Sequence, residues 1–505
     1  MSDLNERIEK ALDEVRPFLA NDGGDISLEG VEGTTVKVKF HGACVGCKVS
    51  DFTLKGGIET TIKKYVPEID RVIAVDAQTK NIMLQIQRIR QESEAVIEGL
   101  KKRGIDASKT VHALIKLDAN RRAIRHEMEE NQHRLNGLSK EIGELFKSGL
   151  AQEANALKQE TGTLKDAIKD LNDRVQLIAT EEYDLLLSLP NVPHKSVKAG
   201  RDEKDNEEVK RVGTIPTLHE GAKPHWDLAD QYDLIDFELG VKITGAGFPV
   251  YKNHGARLQR AMINFFLDEN RAAGYTEYQV PHFVNAASGY GTGQLPDKEG
   301  QMYEMPLDGL YAIPTAEVPV TNMFRDEIVN AKEFPIKSTG YTPCFRREAG
   351  SYGKDVRGLN RLHQFDKVEI VSITHPDKSY DLLDEMVAHV AGLLDKLELP
   401  YRILRLCGGD AGFTSALTYD FEVYSAAQER WLEVSSVSNF ETFQANRLKL
   451  RFKDEDGKSQ LCHTLNGSAM ALPRVLAALL ENHQQEYGIR IPAALVSYTG
   501  FDKIV

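Results

Sequence analysis

Residues 344–350 read CFRREAG, and residues 361–369 read RLHQFDKVE. Both stretches mix charged and apolar side chains in short strand-like runs, and a glycine-containing loop joins them. Arg346 and Arg361 carry planar guanidinium groups, which bind phosphates and carboxylates through two hydrogen bonds at once. Two charged strands joined by a flexible loop predict a platform for a nucleotide. Taken alone, Arg346 can equally be half of a surface ion pair.

Two further clusters suit the activation of a carboxylic acid with ATP: WLEVSSVSNF at residues 431–440 and HTLNGSAMALPR at residues 463–474. In that reaction a carboxylate attacks the α-phosphorus and pyrophosphate leaves, so two anions must meet. The carboxylate is already ionised at neutral pH, and catalysis is therefore mostly positioning and charge neutralisation. Arginines and acidic side chains that hold Mg²⁺ supply this chemistry. The sequence has no glycine-rich phosphate loop, so a nucleotide site must rest on side chains.

Together and in this order, the clusters resemble the class II aminoacyl-tRNA synthetases, and they are most similar to the seryl-tRNA synthetases. The resemblance runs from about Met83 to Val505 and implies an α+β catalytic domain with an antiparallel sheet, in a homodimer. The matching stretches are FRRE (345–348) with RLHQF (361–365) for motif 2, GSAMALPR (467–474) for motif 3, GYTEYQVP (274–281) for motif 1, TAE (315–317) for the serine-binding loop, and TGQLP (292–296).

The resemblance implies L-serine and ATP as substrates, tRNA(Ser) and tRNA(Sec) as acceptors, and Mg²⁺ as cofactor. Arg346, Arg474 and Glu433 are the expected catalytic residues, and Glu433 and Ser436 are the expected Mg²⁺ ligands. The sequence leaves open whether Glu369 binds the ammonium or the hydroxyl group of serine. The expected serine ligands are Thr315, Ala316, Glu317, Arg346, Glu369, Asn466 and Ser468. The expected ATP ligands are Arg346, Arg347, Glu348, Leu362, Phe365, Glu433, Val434, Ser435, Ser436 and Arg474.

A second region has apolar residues spaced alternately three and four apart, over residues 114–145 and again over residues 154–178. Two such helices joined by the short break at Ser148-Gly149 predict an antiparallel coiled-coil hairpin. Polar residues such as Arg121 at the seam can set its register. Periodicity alone is equally consistent with a dimerisation arm or a spacer. In the family, this hairpin reaches the long variable arm of serine tRNA.

The first eighty residues carry a separate pattern, GACVGC at residues 42–47, with DGGD at residues 22–25 and TLKGGIE at residues 53–59. This small α/β block resembles the C-terminal domain of NifU-type iron–sulfur scaffold proteins. Cys44 and Cys47 are its expected cluster ligands. A cluster usually needs four thiolates, so two chains would share one [4Fe-4S] cluster and pass it to iron–sulfur acceptor proteins. The alternative is a redox-active or idle CxxC pair.

A chain of 505 residues predicts two to four domains. We expect a NifU-like domain at 1–80, a tRNA-binding domain with the hairpin at 83–188, a linker at 189–217 and a catalytic domain at 218–505. Met83 stands where a stand-alone synthetase would begin, which leaves two interpretations, a natural fusion or two reading frames joined by a sequence error.

The composition sets only broad limits on location and partners. The N-terminus lacks the features of a signal peptide, and no apolar run is long enough to span a bilayer, so we expect a cytoplasmic protein. The net charge of −13 is weak evidence against broad nucleic-acid binding. The main functional hypothesis is a serine–tRNA ligase. The alternative is an iron–sulfur assembly protein that carries a degenerate synthetase fold.

Overall fold

The computed structural model describes residues 2–21, 24–32, 34–42, 50–69, 71–74, 84–297, 300–348 and 357–505. The chain divides into two units, Met1–Asn81 and Ile82–Val505. Cys44 and Cys47, the expected iron–sulfur ligands, lie outside the described residues, and so does Met83.

The first unit is a small α/β fold in which helices cover a three-stranded sheet. Strand β1 pairs antiparallel with β2, and β2 pairs parallel with β3. The three–four spacing of apolar residues in α1 buries Ile8 and Leu12 in one core with Val36 and Val38 of β2. The elements are α1 (Ser2–Asn21), β1 (Gly24–Glu32), β2 (Thr35–Gly42), α2 (Ser50–Tyr65) and β3 (Arg71–Ala74).

The second unit begins with a helical arm, and the predicted antiparallel hairpin is confirmed. Gly149 has a φ of +79° in the turn between the two long helices, a conformation that glycine adopts without strain. Arg121 lies at the predicted seam, where its Nε is 2.9 Å from Oε2 of Glu182 on the other helix. The helices are α3 (Ile86–Gln91), α4 (Ser93–Lys101), α5 (Ser108–Lys147) and α6 (Ala151–Ser188).

The remainder of the second unit combines one large sheet with surrounding helices. The helices are α7 (His225–Gln231), α8 (Phe237–Ile243), α9 (Asn253–Ala272), α10 (Ala286–Thr292), α11 (Glu317–Asn322), α12 (Ser379–Lys396), α13 (Thr442–Leu448), α14 (Leu472–Asn482) and α15 (Ala493–Thr499). The strands are β4 (Glu207–Val212), β5 (Ile235–Asp236), β6 (Val250–Tyr251), β7 (Thr276–Glu277), β8 (Phe283–Asn285), β9 (Tyr303–Met305), β10 (Leu310–Ala312), β11 (Ile328–Val329), β12 (Ile336–Phe345), β13 (Gln364–Thr374), β14 (Tyr401–Arg405), β15 (Leu417–Ser425), β16 (Arg430–Asn439), β17 (Arg451–Lys453), β18 (Ser459–Leu461), β19 (His463–Ala471), β20 (Gln484–Gln485), β21 (Gly488–Arg490) and β22 (Lys503–Ile504).

Among the described residues, eight strands form the main sheet in the order β4-β14-β15-β16-β19-β13-β12-β7. Its strand pairs are antiparallel except for the short parallel pair of β7 with β12. Along β13, Val368 and Ile370 join the main apolar core, whereas Phe365, Lys367 and Glu369 line a cavity. This alternation follows from the two-residue period of a strand. The predicted α+β fold with an antiparallel sheet is confirmed.

The segment at residues 189–217, expected to be a linker, contributes to the folded domain. Its strand β4 pairs with β14 at the edge of the main sheet, and Leu189 and Val197 are buried. The side chains of β4 are largely exposed, and an edge strand is held through backbone hydrogen bonds. Its polar composition therefore hid a strand from the sequence-based interpretation.

In the part of the chain that the structure describes, no helix is both long and apolar enough to cross a membrane.

Candidate active site

One cavity of about 610 Å³ opens on the face of the main sheet opposite the apolar core. Side chains from β13, β16 and β19, the ends of β12 and α14, and the residues before α11 form its walls. On β19, Asn466 and Ser468 face the cavity while Leu465 and Ala469 join the core. The same strand period that built the core therefore aims a set of polar side chains at one space.

Arg346 follows the end of β12 and is held from three sides. Its backbone N–H donates to the carbonyl of His363 at 2.9 Å, and its Nε donates to the carbonyl of Pro314 at 3.3 Å. Its guanidinium lies 5.2 Å from the ring centre of Phe365. The remaining guanidinium N–H groups face the cavity, where they can bind an anion through two parallel hydrogen bonds.

A second guanidinium, that of Arg474, lies on the same cavity wall. Its Nε donates to the carbonyl of Asn360 at 3.0 Å and its Nη1 donates to the carbonyl of Glu433 at 2.9 Å. Burial lowers the pKa of Arg474, although the group stays cationic at neutral pH. Arg361 pairs with Glu348 at 2.7 Å near the same wall. The cavity thus presents several cations for a polyphosphate.

Glu433 and Ser436 are three residues apart on β16, and residues so spaced on a regular strand face opposite sides. A β-bulge brings the two side chains to the same face of the sheet. It lies where the pairing register shifts between Phe421 and Glu422 of the neighbouring strand β15. Both side chains consequently line the cavity. Asp420, paired with Ser436 across the sheet, lines it as well and has a buried Oδ1 without a hydrogen-bond partner.

The acidic end of the cavity is formed by Thr315, Glu317 and Glu369, whose side chains are all buried. The Thr315 hydroxyl accepts from the backbone N–H of Glu317 at 3.1 Å and donates to Oε2 of Glu369 at 3.3 Å. The ammonium of Lys367 lies 2.5 Å from the same Glu369 oxygen. Burial, with help from Glu369, raises the pKa of Glu317 to about 7. Such a group of acids and hydroxyls suits a small ligand with an ammonium and a hydroxyl group.

Most of the expected ligands meet in this cavity, and two do not. Ala316 is fully buried and packs with Val320 and Val371. Arg347 is exposed, and its guanidinium lies 5.7 Å from the ring centre of Tyr303. The expected ligands that line the cavity are Thr315, Glu317, Arg346, Glu348, Leu362, Phe365, Glu369, Glu433, Val434, Ser435, Ser436, Asn466, Ser468 and Arg474.

Three residues absent from the sequence-based set belong to the site or support it. Lys367 lies two positions before Glu369, so strand alternation could have placed it on the same face. Asp420 needed the strand pairing of β15 with β16. Gln444, whose Nε2 lies 2.6 Å from Oε1 of Glu317, carries no signal in the sequence because it contacts the site only through the packing of α13.

Comparison with known proteins agrees with this geometry. Residues 303–483 match the tRNA synthetase class II core domain (G, H, P, S and T), residues 83–193 match the seryl-tRNA synthetase N-terminal domain, and residues 8–73 match the NifU-like domain. The serine–tRNA ligase of Salinibacter ruber is 53% identical over 424 residues, which are 84% of this chain and 99% of that protein.

The chain belongs to the seryl-tRNA synthetase family. The serine–tRNA ligase of Hydrogenobaculum is 46% identical over 82% of this chain and 99% of its own length. Among solved structures, the seryl-tRNA synthetase of Pyrococcus horikoshii complexed with ATP superimposes with a TM-score of 0.79 at 34% identity, over 84% of this chain and 99% of that one. The predicted enzyme class, a class II serine–tRNA ligase, is confirmed, and so is the NifU-like character of the first unit.

Proposed function

We propose that the cavity binds L-serine and ATP side by side and joins them as seryl-adenylate, which then reacts with the terminal hydroxyl of tRNA(Ser). The observation that carries this proposal is that one cavity is lined both by the guanidinium groups of Arg346 and Arg474 and by the buried carboxyl groups of Glu317 and Glu369. The ATP complex of the Pyrococcus horikoshii relative supports ATP as the nucleotide.

Arg346 has the central role in the proposed reaction. It lines the same cavity as Arg474 and the acidic side chains, and its guanidinium would contact both the serine carboxylate and the α-phosphate. A serine carboxylate oxygen attacks the α-phosphorus, and the bond from that phosphorus to pyrophosphate breaks. The fixed cation offsets the repulsion between the two anions as they meet. Arg474 would hold the terminal phosphates, and Phe365 would stack on the adenine with Leu362 beside it.

The acidic end is proposed to select serine. Glu317 would bind its ammonium group, while Thr315, Glu369, Asn466 and Ser468 would surround its hydroxyl group. Alanine lacks the hydroxyl and would leave these buried polar groups unpaired, which a site of this kind rejects strongly. Glu348 would contact the adenine, and Val434 and Ser435 would line the nucleotide from β16.

The donor set fits Mg²⁺ bound jointly with phosphates. Glu433 is half-exposed to the cavity, Ser436 faces it, and Asp420 has an unpaired buried oxygen. Within the described residues, no group of three or more His, Cys, Asp or Glu side chains is arranged to hold a metal by itself. Mg²⁺ commonly takes one or two protein carboxylates and completes its shell with phosphates and water. When bound, it would neutralise phosphate charge beside Glu433 and Ser436.

The helical arm is the proposed contact for the acceptor RNA. It presents exposed arginines, including Arg122 and Arg134, and phosphate backbones are bound by such cations. The acceptors are tRNA(Ser) and, as a further proposal, tRNA(Sec). Motif 1 at residues 274–281 is the proposed dimer element. A cytoplasmic location stays a prediction of the sequence.

Exchange of labelled pyrophosphate into ATP, measured with each of the twenty amino acids, tests the activation proposal. We expect serine to support exchange and alanine to support almost none. Exchange with another amino acid and not with serine would refute the proposed substrate. Absence of exchange with all of them would favour the alternative of a degenerate synthetase fold.

We propose a second function for the first unit, the binding or delivery of a [4Fe-4S] cluster. The match of residues 8–73 to the NifU-like domain supports it, as does the pair Cys44 and Cys47. Two thiolates per chain require a cluster shared between two chains, and a dimer would raise their effective concentration. Anaerobic reconstitution followed by visible absorption tests this function, and iron bound equally well without Cys44 would contradict it.

A further inference from the structure

Helix α13 places Gln444 behind the serine end of the cavity. Gln444 is 1% exposed and does not line the cavity itself. Its Nε2 lies 2.6 Å from Oε1 of Glu317 and 3.3 Å from the carbonyl oxygen of Thr292, and its Oε1 lies 2.8 Å from the hydroxyl of Thr464. A buried amide that touches a proposed substrate ligand is therefore saturated with hydrogen bonds.

The orientation of this amide follows from its partners. A backbone carbonyl can only accept a hydrogen bond, so the group that faces Thr292 must be the amide nitrogen. The same nitrogen then donates to Glu317, and the Thr464 hydroxyl donates to the amide oxygen. If the amide rotated so that its oxygen accepted a hydrogen bond from a protonated Glu317, the bonds to Thr292 and Thr464 would be lost. These two partners therefore hold the amide with its nitrogen toward Glu317.

We propose that Gln444 is a positioning residue for serine activation, which favours the ionised form of Glu317 and aims this carboxylate at the ammonium group of serine. This inference rests on the proposed role of Glu317 as a serine ligand and adds the residue that prepares it. An N–H donor favours the charged form of a carboxylate over the neutral form.

The charges around Glu317 show why its ionised form needs a hydrogen-bond donor. Burial raises the pKa of Glu317 to about 7, and the like charge of Glu369 on β13 acts in the same direction. Gln444, Lys367 on β13 and Asn466 on β19 act in the opposite direction. Burial and Glu369 already prevail with the Gln444 donor in place, and without that donor the pKa of Glu317 would rise further, so that the carboxyl group would hold its proton at neutral pH. A neutral carboxyl group binds an ammonium far less strongly than a carboxylate.

The test compares Gln444→Met, which keeps the length of the side chain and removes the donor, with Gln259→Met as a matched control. Gln259 is also a buried amide, and its Nε2 donates to Oδ2 of Asp366 at 2.9 Å, away from the cavity. We expect Gln444→Met to raise the KM for serine in pyrophosphate exchange by roughly 10- to 100-fold, the usual effect of losing a hydrogen bond to a charged group. The KM for ATP and all constants of the control should stay near wild type.

The pH dependence separates positioning from a merely structural role. In Gln444→Met, the acidic limb of kcat/KM for serine should move to higher pH, because Glu317 then loses its proton later. In Gln444→Glu, two carboxyl groups share one proton at lower pH, and the single O–H of the protonated group can donate to the other carboxylate. That variant should therefore lose activity as the pH rises, which is the opposite direction.

A Gln444→Met enzyme with an unchanged serine KM and an unchanged pH profile would overturn the proposal. Equal losses for serine and ATP, or equal losses in Gln259→Met, would also overturn it, since both indicate general damage to the fold. If Gln444→Met does not fold, a Gln444→Glu enzyme whose pH profile matches wild type overturns the proposal by itself. Failure of the wild-type enzyme to use serine would refute the proposed function instead, so the two failures are distinguishable.

Discussion

His225 anchors a segment of the cavity wall from inside the core, and the structure allows the effect of replacing it to be estimated. His225 and Glu481 are both fully buried, and the imidazole Nδ1 lies 2.8 Å from Oε1 of Glu481. The imidazole Nε2 accepts the backbone N–H of Leu359 at 2.9 Å. Leu359 lines the cavity, so the imidazole ties the cavity wall to helix α14.

His225→Phe keeps an aromatic ring of similar size and removes both hydrogen bonds. The orphaned N–H of Leu359, which is 1% exposed, costs about 1–3 kcal/mol. Glu481 loses one donor but keeps those of Ser425, Gln428 and the backbone N–H of residue 225, and a hydrogen bond to a charged group is worth about 1.5–3 kcal/mol. The substitution therefore lowers the free energy of unfolding by about 2.5–6 kcal/mol in total, of which the Leu359 share of about 1–3 kcal/mol acts on the cavity wall.

The assay is pyrophosphate exchange at varied ATP, with hydrogen exchange of the Leu359 amide measured in parallel. Since about 1.4 kcal/mol corresponds to a factor of ten, we expect the KM for ATP to rise by roughly 5- to 100-fold. We also expect the Leu359 amide to exchange faster. His483→Phe is the matched control, because His483 is buried and binds the carbonyl of Leu397 outside the cavity. A His225→Phe enzyme with wild-type ATP kinetics and a protected Leu359 amide would refute the reasoning.

Four further predictions concern the two proposed sites and the joining of the two units. Arg346→Ala should abolish serine-dependent exchange, a loss of at least about 100-fold, because no fixed cation then separates the two anions; activity near wild type would exclude its proposed role. The wild-type kcat/KM for serine should fall as the pH drops through about 7, because Glu317 then takes up a proton. A kcat/KM that stays constant from roughly pH 6 to 8, the range in which such a group titrates, would contradict this prediction. Cys44→Ser should lose reconstituted iron while serine-dependent exchange stays unchanged. If the intact mass of the native protein corresponds to a chain that begins at Met83, the two units are not one chain.

The sequence predicted those features whose signals are local. The heptad spacing on both sides of Ser148-Gly149 predicted the hairpin, because a helix repeats its buried face every three to four residues whatever lies beyond it. The motif residues Arg346, Glu433 and Arg474 were recognised because their chemistry is read from residue type and order. Alternation along β13 contained enough information to add Lys367.

Tertiary structure decided which of these side chains share a space. Only the pairing of β15 with β16 produces the bulge that turns Glu433 and Ser436 to the same face, and only the packing of α13 brings Gln444 to Glu317. Strand β4 was missed because its stabilising hydrogen bonds are made by the backbone, which leaves no trace in side-chain composition. Sequence periodicity predicts which face of its own helix or strand a side chain occupies. Contacts between distant elements depend on strand register and helix packing, which are set only when the whole chain folds.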